Sequence, residues 1–523
     1  MHPLHVAVIM PYRSCPEWQL RLVKRLVDVD GFSISTFGFE DIKNHKTPRW
    51  DPFSIWRKLD ARVFVNDSEA AGQRGHEELP RDLSVEDDAC QHVFRMPEQF
   101  LDITEDQSFD VILWLLPESP RKQFLEKARL GVWSLSSVSN NAIGFWELVD
   151  SVPVVSCELF TSESNPERHR LFGRVFAKTD HLSLTRTLRK IRAIEESLVV
   201  SKLDEVRRKG ELISRLPPAE KRLTNKRGRP GAFRLVGALT LLYGRYILNV
   251  ATRRLHRNQW QLAYRAGGNR HSQEGLSRLA PEDKGFWADP FVVRREDRTV
   301  IFFEEYEART SKGRIVAMEI APDGSIGPMK VVLDCDYHLS YPFLFEFEDS
   351  LYMIPESANA GRVEAFRCVD FPYRWESHAV LLDNIRAFDA TIVQHDDRWW
   401  MFAAVQHNGN TTCDDLQLFH APGPFEKWTP HPANPISLDI RCARPAGAMY
   451  QHEGELFRPA QDCSVRYGYA LSIQRVIRLD VEEYLEETVH QILPDWADDI
   501  NGTHTINQSD GITVYDCYVR RRN

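Results

Sequence analysis

The C-terminal half of the chain repeats a pattern of short apolar runs broken by turn residues. Each repeat opens on a polar or aromatic anchor followed by Pro or a small residue, enters a β-rich run, turns at an acidic or Gly-containing pair and continues as a second β-rich run. The anchors are Asp289-Pro290, Tyr341-Pro342, Asp389-Ala390, Arg444-Pro445 and His504-Thr505, with turns at Glu296-Asp297, Glu348-Asp349, Asp396-Asp397, Glu453-Gly454 and Asp510-Gly511. Successive anchors lie 52, 48, 55 and 60 residues apart. A period of about 50 residues with several strands per unit predicts a propeller, whose blades bury their faces only against neighbours. Five repeats predict five blades. Equivalent positions in their blades would bring Asp289, Tyr341, Asp389, Arg444 and His504 into one funnel at the end of the central channel.

The N-terminal half is patterned differently. Leu4 to Met10 and Phe32 to Phe39 read as strands, with a helix between them whose Trp18, Leu22, Leu26 and Val27 share a face. After a poorly patterned stretch from Asp41 to Asp106, Phe109 to Pro117 predicts a buried strand, Arg121 to Ala128 a helix and Gly131 to Ser136 another strand. Strand, helix, strand in that order predicts a parallel α/β sheet. His181 to Leu212 has helical spacing, Lys221 to Pro230 reads as a flexible basic linker, and Phe233 to Val250 is an apolar segment interrupted by Arg234, Gly244 and Arg245. The expected organisation is an α/β domain over 1–180, a basic helical connector over 181–258 and an all-β propeller over 259–523.

Composition refines this picture in three places. At 523 residues, 42% hydrophobic and 27% charged, the chain is globular and long enough for two or three domains. Its net charge of −9 conceals 19 Lys and Arg against 6 Asp and Glu between Arg186 and Arg257. That reversal leaves two readings of 233–257: a helix packed on protein, or a basic apolar segment resting on an anionic membrane surface through Arg245, Arg253, Arg254 and Arg257. Arg227-Gly228-Arg229-Pro230 resembles the core of an AT-hook, but in an acidic chain it reads as linker, and no nucleic-acid partner is expected. The nine cysteines show no spacing suited to zinc and read as reduced thiols. Neither a metal nor a cofactor is expected. The N-terminus lacks a signal-peptide pattern and no run is apolar enough to span a bilayer, so the expected location is the cytoplasm or its membrane surface.

Two resemblances add detail. Gly131-Val132-Trp133-Ser134-Leu135-Ser136-Ser137, followed by Gly144-Phe145-Trp146-Glu147 and Val154 to Phe160, resembles the core of the formyltransferase family, which implies a Rossmann-type α/β domain. By position Ser134 stands where that family has Asn and Ser136 where it has the catalytic His, and its Asp has no clear counterpart between Ser162 and Glu167. The domain is therefore read as degenerate. The C-terminal half resembles the five-bladed arabinanase, arabinofuranosidase and xylosidase propellers of the glycoside hydrolases. That resemblance makes Asp289 the general base and Asp389 the residue that orients the acid, with Arg444 standing where the acidic Glu is expected. Glu356 and Glu305 are candidate replacements. Trp287-Ala288-Asp289-Pro290-Phe291, Arg458 to Ser464 and Asn501 to Thr505 are similar to the N-terminal region of plant glucosamine inositolphosphorylceramide transferases, and to bacterial proteins joining such a propeller to a formyltransferase-like domain. This adds Arg458 and Asp462 as substrate-binding candidates beside the anchors Arg444 and His504 and the aromatic Trp287 and Tyr341, which lie at the anchors and can face a sugar ring.

Together these readings imply a carbohydrate-active protein whose funnel holds a glycan or glycoconjugate for transfer or hydrolysis. A non-catalytic glycan-binding module and a formyltransferase-like enzyme acting on a nucleotide-linked amino sugar are the alternatives. Arg444 and His504 in the funnel suggest an anionic ligand. Formyl transfer needs a proton acceptor beside the amine, which Ser136 cannot be at neutral pH. No formylation of amino sugar nucleotides from a folate donor is expected, and formylation that survives Ser136→Ala would locate the chemistry elsewhere.

Overall fold

The computed structural model describes residues 3–12, 15–39, 51–64, 92–94, 108–120, 122–162, 170–211, 227–267, 269–281, 285–321, 325–407 and 410–522. They form two compact units, residues 1–247 and 248–523.

The first unit is built on one seven-stranded sheet: β1 (Leu4–Pro11), β2 (Phe32–Phe39), β3 (His92–Phe94), β4 (Val111–Trp114), β5 (Val132–Leu135), β6 (Val154–Ser162) and β7 (Leu171–Lys178), in the order β3-β2-β1-β4-β5-β6-β7. The strands β1 to β5 pair in parallel, and β6 and β7 are added antiparallel. Buried on both faces, the parallel strands carry continuous apolar runs; Ala7, Ile9, Phe37, Ile112 and Trp114 meet in one cluster. The expected helix over 121–128 shortens to Lys122–Leu125. Val27 is 62% exposed, because Trp18, Leu22 and Leu26 already fill the buried face one helical step away. The helix Leu184–Lys209 packs on β6 and β7, close enough that a Cβ at Gly173 would come within 2.8 Å of Leu198.

In the stretch 227–230, Arg227, Gly228 and Arg229 are exposed, and both arginines touch the surface of the first unit. Arg227 pairs with Asp150 and lies over Trp146, whose indole donates to the Gly228 carbonyl at 3.0 Å, and Arg229 pairs with Asp51 at 3.3 Å. The remainder of the proposed linker, 221–226, lies outside the described residues, as do most of 41–106 and residues 163–167, where a formyltransferase Asp was sought.

The second unit is the five-bladed propeller. Four blades are consecutive four-stranded meanders: β10–β13 (Phe286–Arg295, Arg298–Glu307, Lys312–Ile320, Lys330–Leu333), β14–β17 (Ser340–Phe347, Ser350–Glu356, Arg362–Asp370, Arg374–Asp383), β18–β21 (Ala387–His395, Arg398–Val405, Leu416–Ala421, Thr429–Pro430) and β22–β25 (Tyr450–His452, Glu455–Asp462, Ala470–Leu479, Tyr484–Ile492). The fifth is composite. Its β26 (Ile500–Gly502) and β28 (Ile512–Arg522) come from the C-terminus, whereas β8 (His256–Ala266) and β9 (Ser277–Leu279) come from before the first blade. The β8–β28 pairing runs from Ile512↔Ala266 to Arg522↔His256 and closes the ring. The acidic turns are the inner hairpins: Glu296, Asp297, Glu348, Asp349, Asp396, Glu453 and Asp510 all have positive φ, as two-residue hairpin turns require.

In the fourth blade Arg458 is 1% exposed and makes a bidentate pair with Glu486 through Nε at 2.9 Å and Nη2 at 2.6 Å, and Nη2 also donates to the Cys442 carbonyl at 2.8 Å. Removing one partner of a buried ion pair leaves the other charge desolvated, at a cost of about 3–5 kcal/mol. Arg458→Ala is therefore expected to lower the urea midpoint of unfolding substantially; an unchanged midpoint would show that Glu486 finds water or another donor.

Candidate functional site

The first three anchors share a backbone irregularity that the sequence pattern only hinted at. Asp289, Tyr341 and Asp389 have φ of 53, 44 and 54°, and each lies in a register break between Ala288 and Phe291, Ser340 and Phe343, or Phe388 and Thr391. A left-handed residue inside a bulge is ordinarily glycine. Holding a non-glycine side chain there costs about 1–3 kcal/mol, and such strain concentrates at functional sites. The bulge turns each anchor toward the axis. The Tyr341 hydroxyl, in the second blade, accepts the Gly447 N–H of the fourth at 2.7 Å and lies 2.8 Å from Thr391 Oγ1 of the third.

At the junction of first and last blades, His504 stands between two carboxylates: its Nδ1 is 2.6 Å from Asp516 Oδ2 and its Nε2 3.3 Å from Asp289 Oδ1. Thr505 Oγ1 donates to Asp289 Oδ1 at 2.7 Å, and Asp516 accepts the backbone N–H groups of Asp289, His504 and Thr505. Burial would depress the His504 pKa, but Asp516 and Asp289 outweigh it and raise the pKa to about 9. Burial raises Asp289 to about 6; His504 opposes the shift, and Asp389 and Asp516 add to it.

On the opposite side Asp389 binds Arg444 through Nε at 2.6 Å and Nη2 at 3.1 Å, and accepts the Gln461 amide at 2.8 Å. Arg444 Nη1 turns to Thr412, 3.0 Å from its hydroxyl. The guanidinium fork is thus held by protein groups and His504 lies between carboxylates, so neither cation is presented to an anionic ligand; the geometry removes the basis of that expectation. Two buried glutamates complete the polar core. Glu356 accepts from Ser340 Oγ at 3.0 Å and Ala358 N–H at 2.6 Å, and burial together with the Asp389 charge raises it to about 7 against the opposing Ala358 N–H and Arg444. Glu304 is raised well above the usual carboxyl range by burial, and further by the charges of Asp289, Glu356, Asp389 and Asp516. A Cβ at Gly313 would meet its Oε1 at 2.6 Å.

The five anchors are at most 5% exposed, so they form a closed polar core rather than an open funnel. Tyr467, 43% exposed, lies over that core, its ring 5.1 Å from the Arg444 guanidinium and 5.3 Å from the His504 ring. The following Gly468 permits this approach: with φ +63, its Cβ would come within 2.7 Å of Trp260.

Three sequence candidates are not brought into the core by their contacts. Trp287 packs 5.4 Å from Phe303 in an apolar cluster, Arg458 is held in its pair with Glu486, and the Asp462 carboxylate accepts the Ser464 N–H. Glu305 turns outward to Arg314 at 2.7 Å, since alternate residues of a strand face opposite sides. Residues that sequence reasoning missed are Glu304, Gln461, Thr505 and Asp516. Asp516 had a signal, a lone acid within the apolar run Val514-Tyr515-Asp516-Cys517. Among the described residues, Asp289, His504 and Asp516 also place three potential metal-ligand atoms within 4.8 Å of one another; an imidazolium between two carboxylates satisfies the same charges.

The second unit is a five-bladed propeller with a buried core of carboxyl, guanidinium and imidazole side chains. The family model for "Glucosamine inositolphosphorylceramide transferase 1, N-terminal" matches residues 277–507. Glucosamine inositolphosphorylceramide transferase 1 of Oryza sativa subsp. japonica is 34% identical over 209 residues, covering 39% of this chain and 28% of that protein. The Arabidopsis thaliana protein of the same name is 34% identical over 209 residues, covering 39% of this chain and 27% of its own. The match thus spans less than a third of these relatives. Among solved structures, an exo-1,5-alpha-L-arabinanase from a bovine ruminal metagenomic library is similar at 14% identity and TM-score 0.32, over 46% of this chain and 94% of its own. A GH43 beta-xylosidase/alpha-arabinofuranosidase from a compost microbial metagenome is similar at 12% identity and TM-score 0.34, over 46% and 91%.

The His504 shift has a definite sign. Its folded pKa of about 9 lies above the usual 6.5, so its contribution to stability is complete below pH 6.5 and lost as pH rises toward 9. Asp289, raised from 3.8 to about 6, contributes below the lower value and loses that contribution as pH climbs through the interval. Urea midpoints are expected to fall from pH 7 to 9, with a flatter profile in His504→Gln. Stability that instead rises with pH on adding a divalent cation would identify a metal site.

Proposed function

We propose that the propeller holds a glycan or glycoconjugate over the polar core and acts in its transfer or hydrolysis. The observation that carries this reading is the gathering of Asp289, Glu304, Glu356 and Asp389 from three blades into one buried cluster, close enough for their charges to act on one another. Burial raises both Glu356, to about 7, and Asp289, to about 6, and at Asp289 the neighbouring His504 opposes the rise and favours the ionised form. Carboxyl groups whose environments separate their pKa values take the roles of acid and base. Asp289 is then the base, Thr505 and His504 fixing its Oδ1. Glu356 is the proton donor in place of the fourth-blade acid, and Asp389 together with Arg444 sets the field around them. Tyr467, exposed over that core, supplies an aromatic face for a sugar ring.

The names of the similar plant proteins support a glycolipid-related, glucosamine-containing substrate. The first unit is read as a degenerate formyltransferase-like domain; Ser136 there accepts the Glu158 N–H at 2.9 Å. The second reading, a glycan-binding module without chemistry, is favoured by Arg444, which stands where the resemblance to the glycoside hydrolases expects the acidic Glu and is bound to Asp389.

Calorimetry and turnover assays on neutral and phosphate-linked oligosaccharides separate the two readings. Neutral sugars are expected to bind as well as charged ones, and Tyr467→Ala to weaken binding about tenfold. Asp289→Asn and Glu356→Gln should keep binding and lose turnover by about 100-fold or more. Binding without turnover in the unmodified protein would leave the module; absence of any sugar binding would remove both readings.

A further inference from the structure

The helix Ala232–Leu255 has two apolar faces, and the core accounts for only one. Leu235, Ala238 and Leu242 are buried with Phe53, Trp56, Phe145 and Trp146. The helix is further fixed by the Trp56 indole donating to Tyr243 Oη at 3.2 Å and by Arg245 donating to the Leu148 and Val149 carbonyls. On the other side Phe233, Val236, Leu241, Tyr243 and Ile247 face solvent, Phe233 at 97% and Ile247 at 66% exposure. Along that strip Gly237, Thr240 and Gly244 are also exposed, and it contains no charged residue. A helix apolar all round is normally buried or in lipid, and exposed apolar patches of this extent mark docking sites.

Charge indicates the occupant. From residue 221 to 273 there is no Asp or Glu, against 12 Lys and Arg. Arg234 is exposed on the same helix, and Arg253, Arg254 and Arg257 follow at its C-terminal end in sequence. No described helix is long and apolar enough to cross a membrane. With its inner face sealed on the first unit, this one can only lie in the plane of a surface. An apolar strip with basic residues around it fits an interface that presents acyl chains beneath anionic headgroups.

We propose that the outer face of Ala232–Leu255 docks the protein on an anionic lipid surface, with Phe233, Val236, Leu241 and Ile247 entering the acyl boundary. The proposal is independent of the chemistry assigned to the propeller.

The test is flotation of the full chain with phosphatidylcholine vesicles containing about 30% phosphatidylglycerol, and with phosphatidylcholine alone. Phe233→Asn, Val236→Asn and Ile247→Asn combined change only exposed positions, and an unaltered thermal melt confirms the fold. The unmodified protein should float with the anionic vesicles, release as salt rises, and float at least about tenfold less in the triple variant. Arg253→Glu, Arg254→Glu and Arg257→Glu combined should lower flotation similarly. Equal flotation on neutral vesicles, or flotation unchanged in the triple variant, would overturn the proposal. So would a lipid-free dimer in sedimentation velocity that the triple variant abolishes, which would assign the face to a second copy.

Discussion

A propeller must close on itself, and in this chain closure and the polar core are one structure. The strand β28 carries Asp516 and pairs along its whole length with β8, which carries Trp260. Asp516 accepts backbone N–H groups from Asp289 in the first blade and from His504 and Thr505 in the last, while Trp260 packs 4.1 Å from the His504 ring. The buried carboxylate therefore fastens the two ends of the ring together. An unpaired charge at that depth would be costly, and the His504 cation beside it removes most of that cost.

The same electrostatic accounting extends around the axis. Asp289 leans on His504 and Asp389 on Arg444, so each anchor carboxylate has its own cation. Among the described residues Glu304 and Glu356 have no such cation in direct contact, since His338, 3.3 Å from Glu304, is pushed toward its neutral form by burial; both glutamates therefore hold their protons to higher pH than an exposed carboxyl does. Left-handed backbone at Asp289, Tyr341 and Asp389 is the conformational counterpart of this arrangement, because only the bulges direct side chains from three separate blades to one line. Strain and buried charge thus accumulate at the same end of the propeller.

The first unit shows how identical residue types serve different ends under different packing. The arginines of 227–229 stay exposed, as solvated charge does, while reaching Asp150, Trp146 and Asp51 on the surface. The apolar helix after them, which alone reads as a core element or an interfacial one, is buried on one side and bare on the other.

The blade count, the anchors and the acidic hairpin turns were legible because each depends on local spacing: strand alternation and two-residue turns recur at a fixed period whatever the blades pack against. The first strands of the α/β sheet were legible for the same reason, in the continuous apolar runs of Leu4 to Met10 and Phe109 to Leu116; their order in the sheet was not. Only the tertiary structure decided that β8 completes the last blade, that Glu304 and not Glu305 faces the axis, and that Arg444 belongs to Asp389 rather than to a ligand. Those outcomes depend on contacts between residues 55 to more than 200 positions apart, such as Arg444 with Asp389 and Asp516 with Asp289. Local periodicity fixes which face a residue occupies within its own strand, but which charge it meets there is set by closure of the ring.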